Sequence, residues 1–280
     1  MLDRFRILAG GLDHPEGVAW DPVAGCVYAG GEAGQLYRIG LDGSCRQVAS
    51  TGGFLLGVAV DADGRVYACD VGHGEVVRID PASGAVATYS RGTPERPMRA
   101  PNWLAFDAAG DLYVTDSGDW GAGDGVIWRV APGGEASIWT AATAALPNGC
   151  CLEHDGSALL VIETNGPTVV RVPILPDGTA GQPEPFVTLP DTVPDGCALT
   201  ADGRLLVSCQ RPDGIFLVER DASACLLAHD PTGQLFGAPA NVAFVGERLD
   251  RLVTSNLGRW HVTIGEIGLV GAPLPRPYLP

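Results

Sequence analysis

The sequence predicts an all-β fold, a six-bladed β-propeller with four-stranded blades around a central channel, formed by residues 1–280 as a single domain. Three observations carry this expectation. One pattern of apolar runs and polar turns recurs six times along the chain. The copies follow one another every 40 to 47 residues, room for four short strands each. No amphipathic stretch of helical length interrupts them, as a parallel α/β fold would require.

The first copy runs HPEGVAWDPVAGCVYAGGEAGQLYRIGLDG from His14, and the second LLGVAVDADGRVYACDVGHGEVVRIDPASG from Leu55. The third starts at Ala100 with APNWLAFDAAGDLYVTDSGDW and resumes in GVIWRVAPGG. LPNGCCLEHDGSALLVIETNGPTVVRVPILPDG from Leu146 is the fourth, VPDGCALTADGRLLVSCQRPDGIFLVERDA from Val193 the fifth, and APANVAFVGERLDRLVTSNLGRWHVTIGEIG from Ala238 the sixth. Each opens on a short apolar run, turns through a segment such as DADG, DAAG or ADG, and continues in a second run. A Gly-rich loop and a third run follow. Asp-Gly turns between apolar runs are strong hairpin signals. A weaker fourth strand lies in each connector, as in CRQVAS, AVATYS, EASIWT and PEPFVTL. FRILAG near the N-terminus and the residues after His261 are expected to share one blade, which closes the ring and removes open sheet edges.

Composition narrows the function. The net charge of −15 and a pI near 4.6 argue against a basic nucleic-acid footprint. No apolar run of about 18 residues is present to span a membrane, and the N-terminal MLDRFRILAGGLDHPEG lacks the form of a signal peptide. The eight cysteines, at 26, 45, 69, 150, 151, 197, 209 and 225, form no CxxC pair and sit mostly in apolar strand patterns, so buried reduced thiols are expected. A cytoplasmic protein acting on a small-molecule substrate, without nucleic acid, membrane or obligate protein partner, fits these features.

The copies differ informatively at one position, just after the usual proline that opens each blade. Its occupants are Glu16, Leu56, Asn102, Asn148, Asp195 and Ala240. The innermost strands of a propeller line its channel, so these residues are expected to form a ring around the axis. PEG, PNG and PDG taken singly are ordinary turns; that reading does not account for Glu16, nor for four oxygen-bearing side chains on one ring. Two carboxylates facing across a narrow channel repel unless protonated or neutralised by a cation. With two amide oxygens they make a hard set suited to one divalent cation, Ca²⁺ first, with Mg²⁺, Mn²⁺, Zn²⁺ or Fe²⁺ as alternatives.

At these residues the sequence resembles the SMP-30/gluconolactonase/luciferin-regenerating-enzyme-like family, which also includes diisopropyl fluorophosphatase-type enzymes. The PEG, PN, PNG and PDG openings carry the likeness over essentially the whole chain. The resemblance implies a divalent-metal-dependent hydrolase of lactones or related esters, with metal ligands at Glu16, Asn148 and Asp195. It implies for Asn102 a metal or substrate contact. Sugar-lactonase members use an arginine near the third-blade asparagine for substrate; Arg99 is the nearest counterpart here, at a different spacing. The long loop DSGDWGAGDG of the third blade is placed to overhang the channel mouth, with Trp120 offering an apolar wall beside Trp103 and Trp260.

Lactone hydrolysis requires a polarised carbonyl, an attacking water and a base. Asp195 is the candidate base as well as a ligand. No GxSxG elbow, HExxH pair or GxGxxG loop supports another mechanism. His14, two residues before Glu16, is expected near the channel mouth. The alternatives are a non-hydrolytic ring-opening, isomerising or condensing enzyme on the same propeller, as strictosidine-synthase-like proteins exemplify without the metal ring, or a non-enzymatic binding propeller.

Overall fold

A computed structural model of the chain describes residues 1–279. Six four-stranded antiparallel sheets follow one another in sequence, and each adjacent pair packs face to face. Blade one comprises Val18–Asp21, Cys26–Gly30, Gln35–Gly40 and Cys45–Ser50. The inner strands of blades two to six are Leu55–Val60, Pro101–Phe106, Pro147–Leu152, Val193–Leu199 and Pro239–Val245. Blade six closes the ring as expected: its outermost strand is Phe5–Gly10, paired antiparallel with His261–Gly265.

The core is divided among the blade interfaces. Six clusters of buried apolar side chains are present among the described residues, and each draws on two neighbouring blades. Leu56, Tyr67 and Met98 meet Leu104, Phe106 and Trp128 between blades two and three. Cys151, Leu160 and Ile162 meet Cys197, Leu199 and Val207 between blades four and five. Second strands such as Val66–Asp70 and Leu112–Asp116 are buried throughout because another blade covers each face. Each buried Leu, Ile or Val contributes about 1.5–3 kcal/mol. Six of the eight cysteines lie in this interior; Cys45 and Cys225, on outermost strands, are exposed, since only one face of those strands is covered.

The described residues beyond Gly265, 266–279, add no strand to the closing blade. They run across the face opposite the ring residues, where inner strands turn into second strands. The Gly271 and Ala272 N–H groups donate to Leu249 O and Leu199 O at 2.8 and 2.9 Å, on blades six and five. Arg276 donates to Asp21 Oδ1 at 3.1 Å and Asp61 O at 2.7 Å, on blades one and two. Pro277 O accepts from the Ala62 N–H at 3.0 Å, and Leu279 is buried against blades two and three. On that face the strap ties blades five and six to blades one, two and three.

Candidate active site at the propeller axis

In blades two to six the ring residues lie inside the inner strands, whereas Glu16 of blade one stands two residues before its strand. In blades two to six the ladder between inner and second strand slips at this point, between Leu55 and Val58, Pro101 and Trp103, Pro147 and Cys150, Pro194 and Cys197, and Pro239 and Val242. Such a bulge unpairs a residue and re-aims its side chain. Blade one reaches a similar arrangement with the Glu16 N–H on Gly30 O at 3.3 Å and the Gly30 N–H on Gly17 O at 3.1 Å.

The next residue is glycine in four blades, and the reason is steric. A Cβ on Gly17 would lie 1.8 Å from Leu56 O, one on Gly149 2.6 Å from Asp195 O, and one on Gly196 1.9 Å from Asn241 Oδ1. None of these glycines has a positive φ. They serve the close approach of neighbouring inner strands; PNG and PDG lie within strands, and PEG precedes its own.

Hydroxyl groups on the second strands fix the bulges. Thr115 Oγ1 accepts from the Trp103 N–H at 2.9 Å and donates to Asn148 O of the next blade at 2.8 Å. Ser208 Oγ accepts from Gly196 at 3.2 Å and donates to Ala240 O at 2.6 Å. Ser255 Oγ accepts from Asn241 at 2.9 Å and donates to Glu16 O. These residues were missed in the sequence. The signal for them was an aligned hydroxyl in the runs LYVT, LLVS and LVTS.

Glu16, Asn148 and Asp195 are brought together at the axis and are 5%, 7% and 1% exposed. Burial, then the charge of Asp195, holds the Glu16 carboxyl well above the usual carboxylate range. Burial also pushes Asp195 up to about 7, with the nearby Gln210 and Asn148 amides pulling the other way. Asn102 occupies the equivalent bulge of blade three and is partly buried. Leu56 and Ala240 complete the ring as buried apolar residues.

The donor set fits a cation. Asn102 Oδ1, Asn148 Oδ1 and Asp195 Oδ1 are buried and have no hydrogen-bond partner among the described residues. These three acceptors at equivalent points of three inner strands, one of them on a carboxylate that repels that of Glu16, form a hard, electron-rich set. Asn241, fully buried with an equally unpartnered carboxamide, lies one residue past Ala240.

Arg99 and Trp120 lie at the rim. The Arg99 guanidinium pairs with Asp119 at 2.9 Å and with Asp124, and Arg96 donates to Asp124 O at 3.0 Å, so both arginines tie down loop 117–125. Trp120 at the loop tip is 78% exposed, and Trp103 is buried between blades three and four. His14 has its Nδ1 2.9 Å from Glu32 and 3.2 Å from Asp13, and its ring lies 5.4 Å from that of Trp260. This cluster is partly exposed and satisfied among its own members, unlike the axial set.

The fold and this axial ring define a six-bladed propeller with an oxygen-lined central site. The chain belongs to the family described as SMP-30/Gluconolactonase/LRE-like region, whose profile matches residues 14–256. It is similar to Lactonase drp35 of Staphylococcus saprophyticus, at 25% identity over 188 residues. That match covers 64% of this chain and 55% of the relative, so the chain aligns with little more than half of that protein. Among solved structures, a calcium-binding protein, regucalcin, from Agrobacterium tumefaciens superposes with a TM-score of 0.82 at 20% identity, covering 98% of this chain and 97% of that one. A gluconolactonase from Xanthomonas campestris gives 0.80 at 23% identity, covering 95% and 89%. Virginiamycin B lyase from Staphylococcus aureus shares the fold at a TM-score of 0.66 and 16% identity, covering 94% and 98%.

Proposed function

We propose that the protein is a divalent-cation-dependent lactonase acting on a sugar lactone or related cyclic ester. The observation that carries this is the buried, unpartnered oxygen at the ring position of three inner strands, on Asn102, Asn148 and Asp195, with the Asp195 carboxylate acting on that of Glu16. Membership of the family and the likeness to lactonases support the substrate class.

Glu16, Asn102, Asn148 and Asp195 would hold the cation, calcium being the best match to an all-oxygen set. When bound, such a cation polarises an ester carbonyl and eases the ionisation of water. Asp195 has one oxygen held by Gln210 and the other buried without a partner among the described residues, and it serves as the base that takes the proton of the attacking water. Asn102 orients the lactone through its carboxamide. Arg99 and Trp120, on and beside the rim loop, contact the distal part of the substrate.

The test is metal analysis of the purified protein together with hydrolysis of a panel of sugar lactones, with and without chelator. Turnover that chelator abolishes and calcium restores is expected. Asp195→Asn should lower kcat by about 10²–10⁴-fold, the usual contribution of a positioned general base. Absence of any bound divalent ion, with turnover indifferent to chelator, overturns the proposal.

A further inference from the structure

Neither axial amide oxygen nor axial carboxylate is free to face the channel by default. A buried asparagine can turn its carboxamide over and present NH₂ where an oxygen is needed. The surroundings of Asn148 decide the matter. Its Nδ2 lies 3.2 Å from Thr164 Oγ1, and Thr164 Oγ1 lies 2.7 Å from Pro194 O. Pro194 O only accepts, so the single hydroxyl proton of Thr164 is committed to it. The Thr164 oxygen must then accept from Asn148, which places NH₂ toward Thr164 and leaves Oδ1 for the axis. Thr164 is itself buried, 8% exposed, and no competing partner for its oxygen is present among the described residues.

Asp195 is set by the same position of the next blade. Gln210, aligned with Thr164 just past the bulge of its own blade, donates Nε2 to Asp195 Oδ2. Oδ1 is left without a partner among the described residues. Through Pro194 O, Thr164 also holds the backbone one residue before Asp195, so blade four positions groups on both blades.

We propose that Thr164 and Gln210 are positioning residues of the axial site, fixing which oxygens of Asn148 and Asp195 are offered to a divalent cation. This rests on the cation-site reading above and extends it to residues that do not touch the cation. Partners of metal ligands in this role are typically worth 10–100-fold in affinity.

The experiment is calorimetric titration of the intact protein with calcium. Thr164→Val keeps the shape and removes both hydrogen bonds; it should weaken calcium binding by about 10–100-fold, and Thr164→Ser should restore it to within a few-fold of the parent. Gln210→Leu, on a partly buried strand position, should weaken it independently and guards against a Thr164→Val chain that does not fold. Restored affinity in Thr164→Ser separates positioning from a general loss of packing, because serine lacks the threonine methyl. If the parent binds calcium and both Thr164→Val and Gln210→Leu bind it equally well, the positioning role is overturned while the site stands. If the parent binds no divalent cation, the site and its positioning residues fall together.

Discussion

Ser255 on blade six donates its hydroxyl to the backbone carbonyl of Glu16 on blade one, although 239 positions separate them in the chain. The bond joins the last blade to the first at the level of the axial site, and the same oxygen accepts the Asn241 N–H at 2.9 Å. Ser255→Ala leaves two buried backbone groups unpaired. It should cost about 1–3 kcal/mol, read as a lower midpoint in denaturant unfolding, and should loosen Glu16 enough to weaken calcium binding. An unchanged midpoint would show that the closure does not depend on this hydroxyl.

The glycine after Glu16 admits no side chain. A Cβ at Gly17 would stand 1.8 Å from Leu56 O and 3.0 Å from Val58 Cγ2, so blade two would have to retreat. Gly17→Ala should destabilise the fold by about 1–3 kcal/mol or more, as overpacking does. Gly10→Ala, where the nearest atom is Trp260 O at 3.9 Å, is the control and should melt close to the parent.

Removal of a bound cation should make stability depend on pH in a defined direction. In chelator, burial keeps Asp195 near 7 against an ordinary value of 3.8, and Glu16 is also raised. The folded state then binds more protons than the unfolded state across that interval. The stability so contributed is fully present below the unfolded value and is lost as pH rises through about 7. Thermal melts in chelator should fall across this range, and added calcium should flatten the profile. A chelated protein with level melts from pH 4 to 8 contradicts the buried carboxylate pair.

The C-terminal strap should be a stabilising element in its own right. Leu279→Ala removes a buried side chain and should cost about 2 kcal/mol or more. Arg276→Ala leaves Asp21, only 2% exposed, without its cation and should be comparably harmful. Hydrogen exchange should rise at Ala62 and Ala201, whose N–H groups donate to strap carbonyls. Protection retained at both amides in Leu279→Ala would place the anchoring elsewhere in the strap.

The architecture was legible because a propeller writes its blades consecutively. Strand periodicity and the Asp-Gly turns are local, so the six copies, their order and the shared closing blade could be read directly. The ring was legible for the same reason: equivalent positions in equivalent blades must meet at the axis, and Glu16, Asn102, Asn148 and Asp195 broke the apolar pattern there. The sequence alone thus determined the fold, the blade count and the four oxygen-bearing positions. Only the tertiary structure decided what holds them. The bulges, the glycines set by contact between blades, and the hydroxyls of Thr115, Thr164, Ser208 and Ser255 all act across blade boundaries, where partners are dozens to hundreds of residues apart. A hydrogen bond between Thr164 and Pro194, or between Arg276 and Asp61, leaves no periodic trace in the chain, because its geometry exists only once neighbouring blades have packed.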